Sequence, residues 1–158
     1  PVLCIQTKQQ PSYYMSEIKI VTDREFLSSQ CEKATLEEGA EIAKRLIKVL
    51  IERSDGIGLA ANQIGIQKQV CVVNVVNPVI LVNPAIIKAQ GTVDFLEGCL
   101  SFPEEGVITE RYDSIDVIAD NHKDVLHFSK DKNLLECVCI QHEIDHLNGI
   151  TMHDRRKQ

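Results

Sequence analysis

The clearest chemical signal in the chain is a pair of histidines one helical turn apart, in His142-Glu143-Ile144-Asp145-His146. Residues four apart share one face of a helix, so both imidazoles can reach one metal ion at about 2.0–2.1 Å. The carboxylate after the first histidine then lies near the open coordination position, where it can accept a proton from bound water. A generic histidine pair is more often a packed or exposed pair than a metal site. Here the intervening Glu and the apolar context favour a metal hydrolase.

A catalytic metal site of this kind needs a third protein ligand and one open position. Downstream of the motif, the candidates are His153 and Asp154, which follow closely on a glycine stop. Upstream, Cys99 is more attractive because it lies in a Gly-containing loop, flanked by Glu97 and Ser101, rather than in an apolar strand. A thiolate with two imidazoles suits zinc or iron. The alternative is that this cysteine is a small buried side chain, the common fate of a free thiol.

The histidines are predicted to lie on a helix from about Leu134 to Leu147. An N-cap residue, Asn133, precedes it, and Asn148-Gly149 ends it. Apolar residues cover several faces of this helix, so we expect it to be buried in the middle of a domain. Cys137 and Cys139 share the helix with the histidines and are interpreted as packing residues.

Other elements must surround this helix. A period of one helical face predicts a first helix over Leu36–Arg53, with a capping box formed by Thr35 and Glu38. The segment from Gly56 to Gln63 is too rich in small residues for an ordinary strand. Apolar and β-branched runs predict strands at Gln69–Val76, Val79–Val82, Val93–Leu96 and Ser114–Ala119. Strands with one buried helix and one outer helix indicate an α+β fold.

Composition narrows the function classes. The chain has 158 residues, which fits one domain, and a formal net charge of −6, which argues against a nucleic-acid partner. No apolar run reaches the roughly 18–20 residues that would cross a membrane. The six cysteines occur without a secretory signal and favour free thiols in a reducing compartment. The one basic cluster, Arg155-Arg156-Lys157, is expected to be a solvated tail.

Three segments, taken together and in order, resemble the signature motifs of peptide deformylases: Gly56-Ile-Gly-Leu-Ala-Ala-Asn-Gln63, Glu97-Gly-Cys-Leu-Ser101 and Gln141-His-Glu-Ile-Asp-His146. The resemblance runs from about Met15 to Met152. It predicts a single catalytic domain over residues 15–158, preceded by an N-terminal extension over residues 1–14. The implied fold is the α+β fold of that family, with antiparallel sheets around a central buried metal-binding helix.

The resemblance also implies an activity. It is removal of the N-terminal formyl group from formyl-methionyl nascent peptides, releasing formate, by attack of metal-bound water. One divalent ion would be needed, with Fe(II) in the cell and Zn or Ni in a purified sample. Cys99, His142 and His146 match the family's metal ligands. Glu143 matches its general acid/base.

Further roles follow from the same resemblance. Gln63 and the backbone N–H of Leu100 match the donors to the developing oxyanion, and Arg111 is the expected partner of Asp145. The implied substrate-binding positions are Gly56, Ile57, Gly58, Phe95, Glu97, Gly98, Leu135, Val138 and Cys139.

Partners and location are also implied by the resemblance. The chain stops about a dozen residues after His146, without the C-terminal helix that many bacterial members carry, so ribosome contact is expected to be transient at most. Gly106 stands near a position where many relatives carry a basic residue, which leaves recognition beyond the first substrate residue open. The expected location is the cytoplasm of a bacterium or a virus-infected cell, or an organelle matrix.

Overall fold

The structure is a computed structural model that describes residues 18–158. Three helices and eight strands make up its regular elements, and two short 3₁₀ helices accompany them. The helices are α1 (Arg24–Leu27), α2 (Leu36–Glu52) and α3 (Lys130–Leu147). The strands are β1 (Gly58–Ala60), β2 (Val70–Asn74), β3 (Pro78–Val82), β4 (Ala85–Gln90), β5 (Val93–Cys99), β6 (Phe102–Arg111), β7 (Ser114–Ile118) and β8 (Leu126–Ser129). The 3₁₀ helices are Ala61–Ile64 and Met152–Arg155.

The strands form three antiparallel sheets, in the orders β1-β2-β3, β4-β7-β8 and β5-β6. Strand β2 is central to the first sheet and is buried on both faces. Its residues Val70 and Val72 pack with α2, whereas Cys71 and Val73 pack with α3. Because side chains alternate along a strand, one apolar run supplies two cores. The buried helix α3 thus lies between sheets, as the sequence predicts.

The predicted helices are confirmed. Helix α2 begins at Leu36 with both hydrogen bonds of the Thr35–Glu38 capping box. In α3, Asn133 has non-helical dihedral angles (φ −163°, ψ 108°), and its side chain accepts a hydrogen bond from the N–H of Glu136. The regular helix therefore starts after Asn133, where the cap pattern places it.

The strand predictions were incomplete. Four strands were not predicted: β1, β4, β6 and β8. In particular, the expectation that the Gly56–Gln63 segment contains no ordinary strand was wrong, because its Leu59 pairs with Val72 of β2. Small residues suit this strand because it is packed on both faces, by α2 and by α3.

The basic cluster Arg155-Arg156-Lys157 is exposed, as expected, but it is not a free tail. Arg155 makes two hydrogen bonds to Asp145, and Arg156 forms a β-bridge with Thr109 of β6. The backbone N–H of Lys157 donates to the carbonyl of Ile108 at 2.9 Å. The segment after α3 is therefore attached to β6, and its exposed Arg155 pairs with the buried Asp145.

Two further features agree with the sequence. The five cysteines within residues 18–158 are free thiols. Of the helices in that range, none has the length and apolar character needed to cross a membrane. The expected extension over residues 1–14 lies outside the described residues.

Candidate metal centre and active-site cavity

The two motif histidines lie next to each other on the buried half of α3. Every residue from Cys137 to Leu147 is buried, so this part of the helix has no solvent-facing side. The rings of His142 and His146 meet nearly edge-on, with centroids 4.8 Å apart and their Nε2 atoms 3.1 Å apart. Helical spacing therefore aims both Nε2 atoms at one point.

Cys99 reaches the same point from the end of β5. The β5–β6 pairing is regular up to Glu97 and shifts register before Cys99, which pairs with Phe102 across a tight turn. This irregularity directs the Cys99 sulfur towards the helix, 3.3 Å from His146 Nε2. The three ligand atoms of Cys99, His142 and His146 all lie within 4.8 Å of one another. Strand, turn and helix thus bring together the three residues that the sequence selected.

The donor set fits a divalent metal ion. Bonds of about 2.0–2.3 Å in a tetrahedral arrangement would hold ligand atoms roughly 3.3–3.6 Å apart, close to the distances at His146. His142 Nδ1 lies 2.7 Å from a carboxylate oxygen of Glu97, which can only accept, so Nδ1 carries the hydrogen. That leaves His142 Nε2 as the atom that can coordinate, as is usual for a metal-bound histidine with a carboxylate behind it.

The protonation of the two histidines differs in the absence of an ion. Burial alone would lower the pKa of His142, but its hydrogen bonds with Cys99 and Glu97 raise that pKa to about 10. Burial holds the pKa of His146 well below its ordinary value. The metal-free site therefore retains a proton on His142 that an incoming cation must displace, and binding releases it.

Glu97 holds His142 from behind and is itself held by Arg111. Arg111 donates to the two Glu97 oxygens at 2.6 and 2.9 Å, and the hydroxyl of Thr109 donates to the carboxylate as well. Burial alone would raise the pKa of Glu97, but the hydrogen bonds from Arg111 and His142 lower it to about 2. The Glu97 carboxylate is therefore ionised and hydrogen-bonded to the ring of the candidate ligand His142.

Asp145 is the second carboxylate that Arg111 serves, and the pairing expected from the sequence is confirmed. Arg155 also donates to Asp145, at 3.0 Å through Nε and 2.9 Å through Nη2. Two buried carboxylates are thus balanced by two guanidinium groups. A buried charge that lacked such a partner would be strongly destabilising.

Glu143 differs from these carboxylates because one of its oxygens has no partner. The residue is 3% exposed, and Oε2 makes no hydrogen bond among the described residues. Burial is the main cause that raises the pKa of Glu143 to about 7, the nearby Glu97 also raises it, and His142 opposes the shift. A carboxyl group with a pKa near neutrality can both accept and return a proton.

Gln63 presents its amide nitrogen to the same region. Its Oε1 accepts a hydrogen bond from the backbone N–H of Ala60 at 2.9 Å, which fixes the orientation of the amide. Its Nε2 then points to Ser101 Oγ at 3.2 Å and to Cys99 Sγ at 3.5 Å. The side chain is 1% exposed, so this donor is held rigidly.

A cavity of about 620 Å³ opens beside the candidate metal ligands. All candidate site residues from the sequence except His146 line it. His146 is 1% exposed and does not line the cavity. The nine proposed substrate-binding residues are among the lining: Gly56, Ile57, Gly58, Phe95, Glu97, Gly98, Leu135, Val138 and Cys139.

Several residues of the site were not singled out from the sequence. Ser101 was quoted only as part of a motif, and Thr109 and Arg155 carried no signal beyond their residue types. The cavity lining also includes residues that sequence reasoning did not select: Arg53, Asp55, Leu96, Phe102, Pro103, Glu104 and Glu105. Leu96, Phe102, Pro103, Glu104 and Glu105 belong to the paired strands β5 and β6, and local patterns do not reveal strand pairing.

Comparison with known proteins agrees with this geometry. Residues 15–158 match the family model described as polypeptide deformylase. The peptide deformylase of Buchnera aphidicola subsp. Schizaphis graminum is 38% identical over 128 residues, covering 78% of this chain and 74% of that protein. The Aquifex aeolicus enzyme is 33% identical over 150 residues, with coverage of 87% and 86%.

Solved structures show the same fold. The crystal structure of peptide deformylase from Thermotoga maritima superposes with a TM-score of 0.77 at 33% identity, covering 92% of this chain and all (100%) of that chain. A probable peptide deformylase from synechococcus phage S-SSM7 superposes with a TM-score of 0.75 at 34% identity, covering 88% and 98%. The α+β fold and the resemblance seen in the motifs are thereby confirmed. The chain belongs to the peptide deformylase family, the metal-dependent enzymes that remove the N-terminal formyl group from nascent peptides.

Proposed function

We propose that this chain hydrolyses the formyl group of formyl-methionyl peptides at a mononuclear centre held by Cys99, His142 and His146. The observation that supports it most strongly is the convergence of these three ligand atoms within 4.8 Å, beside a buried Glu143 oxygen that has no hydrogen-bond partner among residues 18–158. The catalytic domain is proposed to span residues 15–158. Formate and a peptide with a free amino terminus are the products.

A divalent ion in this site would act as a Lewis acid and lower the pKa of a water molecule beside the substrate. Fe(II) is the proposed ion in the cell, and Zn or Ni would fit the same ligands in a purified sample. A thiolate with two imidazoles accepts all three ions. The chain supplies the remaining steps through Glu143, Gln63 and the turn after Cys99.

Glu143 is proposed as the general base and acid. Its unpartnered Oε2 accepts the proton of the attacking water, and the protonated carboxyl then delivers it to the amide nitrogen as the bond to the formyl carbon breaks. Both transfers suit the pKa of about 7 that burial gives this group. Its position next to His142 in the sequence places it at the edge of the ligand set.

Charge on the formyl oxygen is proposed to be stabilised by Gln63 Nε2 and the backbone N–H of Leu100. The Ala60 N–H fixes the Gln63 amide so that its nitrogen, not its oxygen, faces the site. A preorganised donor of this kind stabilises a transition state by roughly 2.7–4 kcal/mol. Leu100 lines the cavity directly after the cysteine ligand.

The methionyl side chain is proposed to occupy the apolar part of the cavity. Ile57, Phe95, Leu135, Val138 and Cys139 supply that surface. Unbranched thioether side chains pack well against such mixed aliphatic and aromatic walls. The peptide backbone would lie along Gly56, Gly58, Glu97 and Gly98.

The test is formate release from formyl-Met-Ala-Ser by protein prepared anaerobically with iron, with Glu143→Ala and acetyl-Met-Ala-Ser as controls. We expect release by the unchanged protein only, with the ion still bound in the variant and the acetyl peptide intact. Equal cleavage of both peptides would indicate a general amidase. No release from a metal-loaded sample would contradict the proposal.

A further inference from the structure

We infer that Arg155, in the segment after the motif helix, is a positioning residue for the metal ligands. The inference rests on the proposed metal centre. Arg155 does not line the cavity, and its side chain is 41% exposed. It nevertheless forms one end of a continuous chain of charged hydrogen bonds that leads to His142.

The chain of contacts has four steps. Arg155 donates hydrogen bonds to both carboxylate oxygens of Asp145, at 2.9 and 3.0 Å. Asp145 in turn accepts a hydrogen bond from Nη1 of Arg111. Arg111 uses its other two nitrogens on Glu97, and Glu97 accepts the Nδ1–H of His142 at 2.7 Å. A hydrogen-bonded ion network therefore reaches from the edge of the molecule to a metal ligand.

Arg155 supplies the second guanidinium group in a network that contains two carboxylates, Glu97 and Asp145. Arg111 is shared between two buried carboxylates, whose side chains are 3% and 9% exposed. With Arg155 present, Asp145 receives its own bidentate partner, and the Arg111 fork can stay on Glu97. Without it, Asp145 would draw on Arg111 alone, and the Glu97 that orients His142 would lose part of its support.

The local fold makes Arg155 a rigid partner. It ends the 3₁₀ helix Met152–Arg155, whose first turn is fixed by the Thr151 N–H donating to Asp154 at 2.8 Å. Directly after it, Arg156 bridges to Thr109 and the Lys157 N–H donates to Ile108. Thr109 also donates to Glu97, so the same residue of β6 contacts both the network and the segment that carries Arg155.

A positioning role and a purely electrostatic role of Arg155 predict opposite changes in cation affinity when the residue is removed. Removing a positive charge near a cation site should strengthen cation binding by Coulomb's law. Loss of ligand orientation should instead weaken it, and partners that orient a metal ligand typically account for 10–100-fold in affinity. Because Arg155 acts on the ligand His142 through three intervening groups, we expect an effect of about tenfold, the lower end of that range.

The experiment compares Co(II) binding to the unchanged protein and to Arg155→Leu, Arg155→Lys and Lys157→Met. Lys157→Met is the matched control, since it removes a nearby cation whose partner is Asp94 rather than the network. Affinity is measured by chelator competition, release rate by trapping with excess chelator, and ligand geometry by the visible spectrum with its thiolate band. All are recorded at a temperature at which circular dichroism shows every variant folded.

We expect Arg155→Leu to bind Co(II) about tenfold more weakly, with faster release and an altered spectrum. Arg155→Lys should fall between it and the unchanged protein, because an ammonium group keeps the charge without the planar fork. Lys157→Met should match the unchanged protein. Unchanged or tighter binding by Arg155→Leu, with an unchanged spectrum, would overturn the inference even if that variant unfolds more easily. Should Arg155→Leu not fold, unchanged affinity and spectrum in Arg155→Lys would overturn it. A Cys99→Ala sample is measured in parallel as the control for binding at the proposed centre. If the unchanged protein bound Co(II) no better than Cys99→Ala, the metal-centre proposal would fail, and the inference about Arg155 would fail with it.

Discussion

At the scale of single residues, the most restrictive contact at the site is between Gly58 and Glu143. A Cβ atom at Gly58 would lie 2.6 Å from Glu143 Oε1 and 2.7 Å from Cys139 Sγ, both shorter than real contacts. The missing side chain therefore sets the position of the proposed acid/base. The backbone of β1 can approach α3 this closely only at a glycine.

Gly58→Ala should consequently lower kcat/KM for formyl-Met-Ala-Ser by at least about tenfold, because a misplaced catalytic group of even 1 Å is costly. The bound metal content should not change, since the ligands are not displaced directly. The control is Gly106→Ala, whose Cβ would meet its nearest atom, Leu96 Cδ1, at an ordinary 3.4 Å. Near-normal activity in Gly58→Ala would show that Glu143 has room to move.

Gln63 offers a second prediction at this scale. Gln63→Glu keeps the shape of the side chain but replaces the donor with an oxygen. We expect kcat to fall by roughly 10²–10³, as for loss of one oxyanion donor, with KM and metal content little changed. Steady-state kinetics with metal analysis on the same samples would measure this, and a kcat within about threefold of the unchanged protein would exclude Gln63 from charge stabilisation.

The proposed metal ligands could be selected from the sequence because their spacing carries the information. Two side chains that are four positions apart on a helix lie on the same face. A cysteine in a glycine-containing turn is accessible. Of the residues behind them, the Arg111–Asp145 pair was expected from the family resemblance, whereas Thr109 and Arg155 were assigned no role at the site. Arg155 looked like part of a solvated tail, since its partner Asp145 is defined only after the segment folds back onto β6.

At the scale of elements, the start of the buried helix is set by a single side chain. Asn133 departs from helical geometry, and its Oδ1 accepts the Glu136 N–H at 2.9 Å. Asn133→Ala should lower the free energy of unfolding by about 1 kcal/mol, the usual cost of losing such a cap. Urea denaturation measures this directly. Asn133→Asp keeps the acceptor and should unfold close to the unchanged protein, so equal losses in both variants would show that capping is not the cause.

Strands were predicted where apolar and β-branched residues dominate the segment, as in β2 and β7. Strand β6 has ten residues but was missed, since two of its inward-facing residues are polar. Thr109 and Arg111 are buried because they hold Glu97, and Glu104 and Glu105 interrupt the alternation at its start. The alternation of apolar residues that normally reveals a strand is therefore incomplete in β6, because two of its buried positions carry the polar residues that hold Glu97.

At the scale of the whole molecule, the proposed metal centre takes its ligands from two separate parts of the fold. Cys99 belongs to the β5–β6 sheet, whereas His142 and His146 belong to α3, which packs mainly on β1, β2 and β8. The β5–β6 sheet is further joined to the helix through the Glu97–Arg111–Asp145 ion pairs. An ion held by ligands from both parts would act as a crosslink between them.

Removing the metal should therefore destabilise the entire domain rather than only the cavity. An ion that binds the native state alone stabilises it by RT ln(1 + [L]/Kd), about 2.7 kcal/mol when the free ion is at one hundred times its Kd. We expect Ni(II)-loaded protein to unfold at a clearly higher urea concentration than protein treated with a chelator, in one cooperative transition. Cys99→Ala should lose most of this difference, because the β5 ligand is the one that joins the two parts. A common urea midpoint for loaded and chelated samples, with the ion shown to be bound, would mean that the charged network alone holds the β5–β6 sheet against α3.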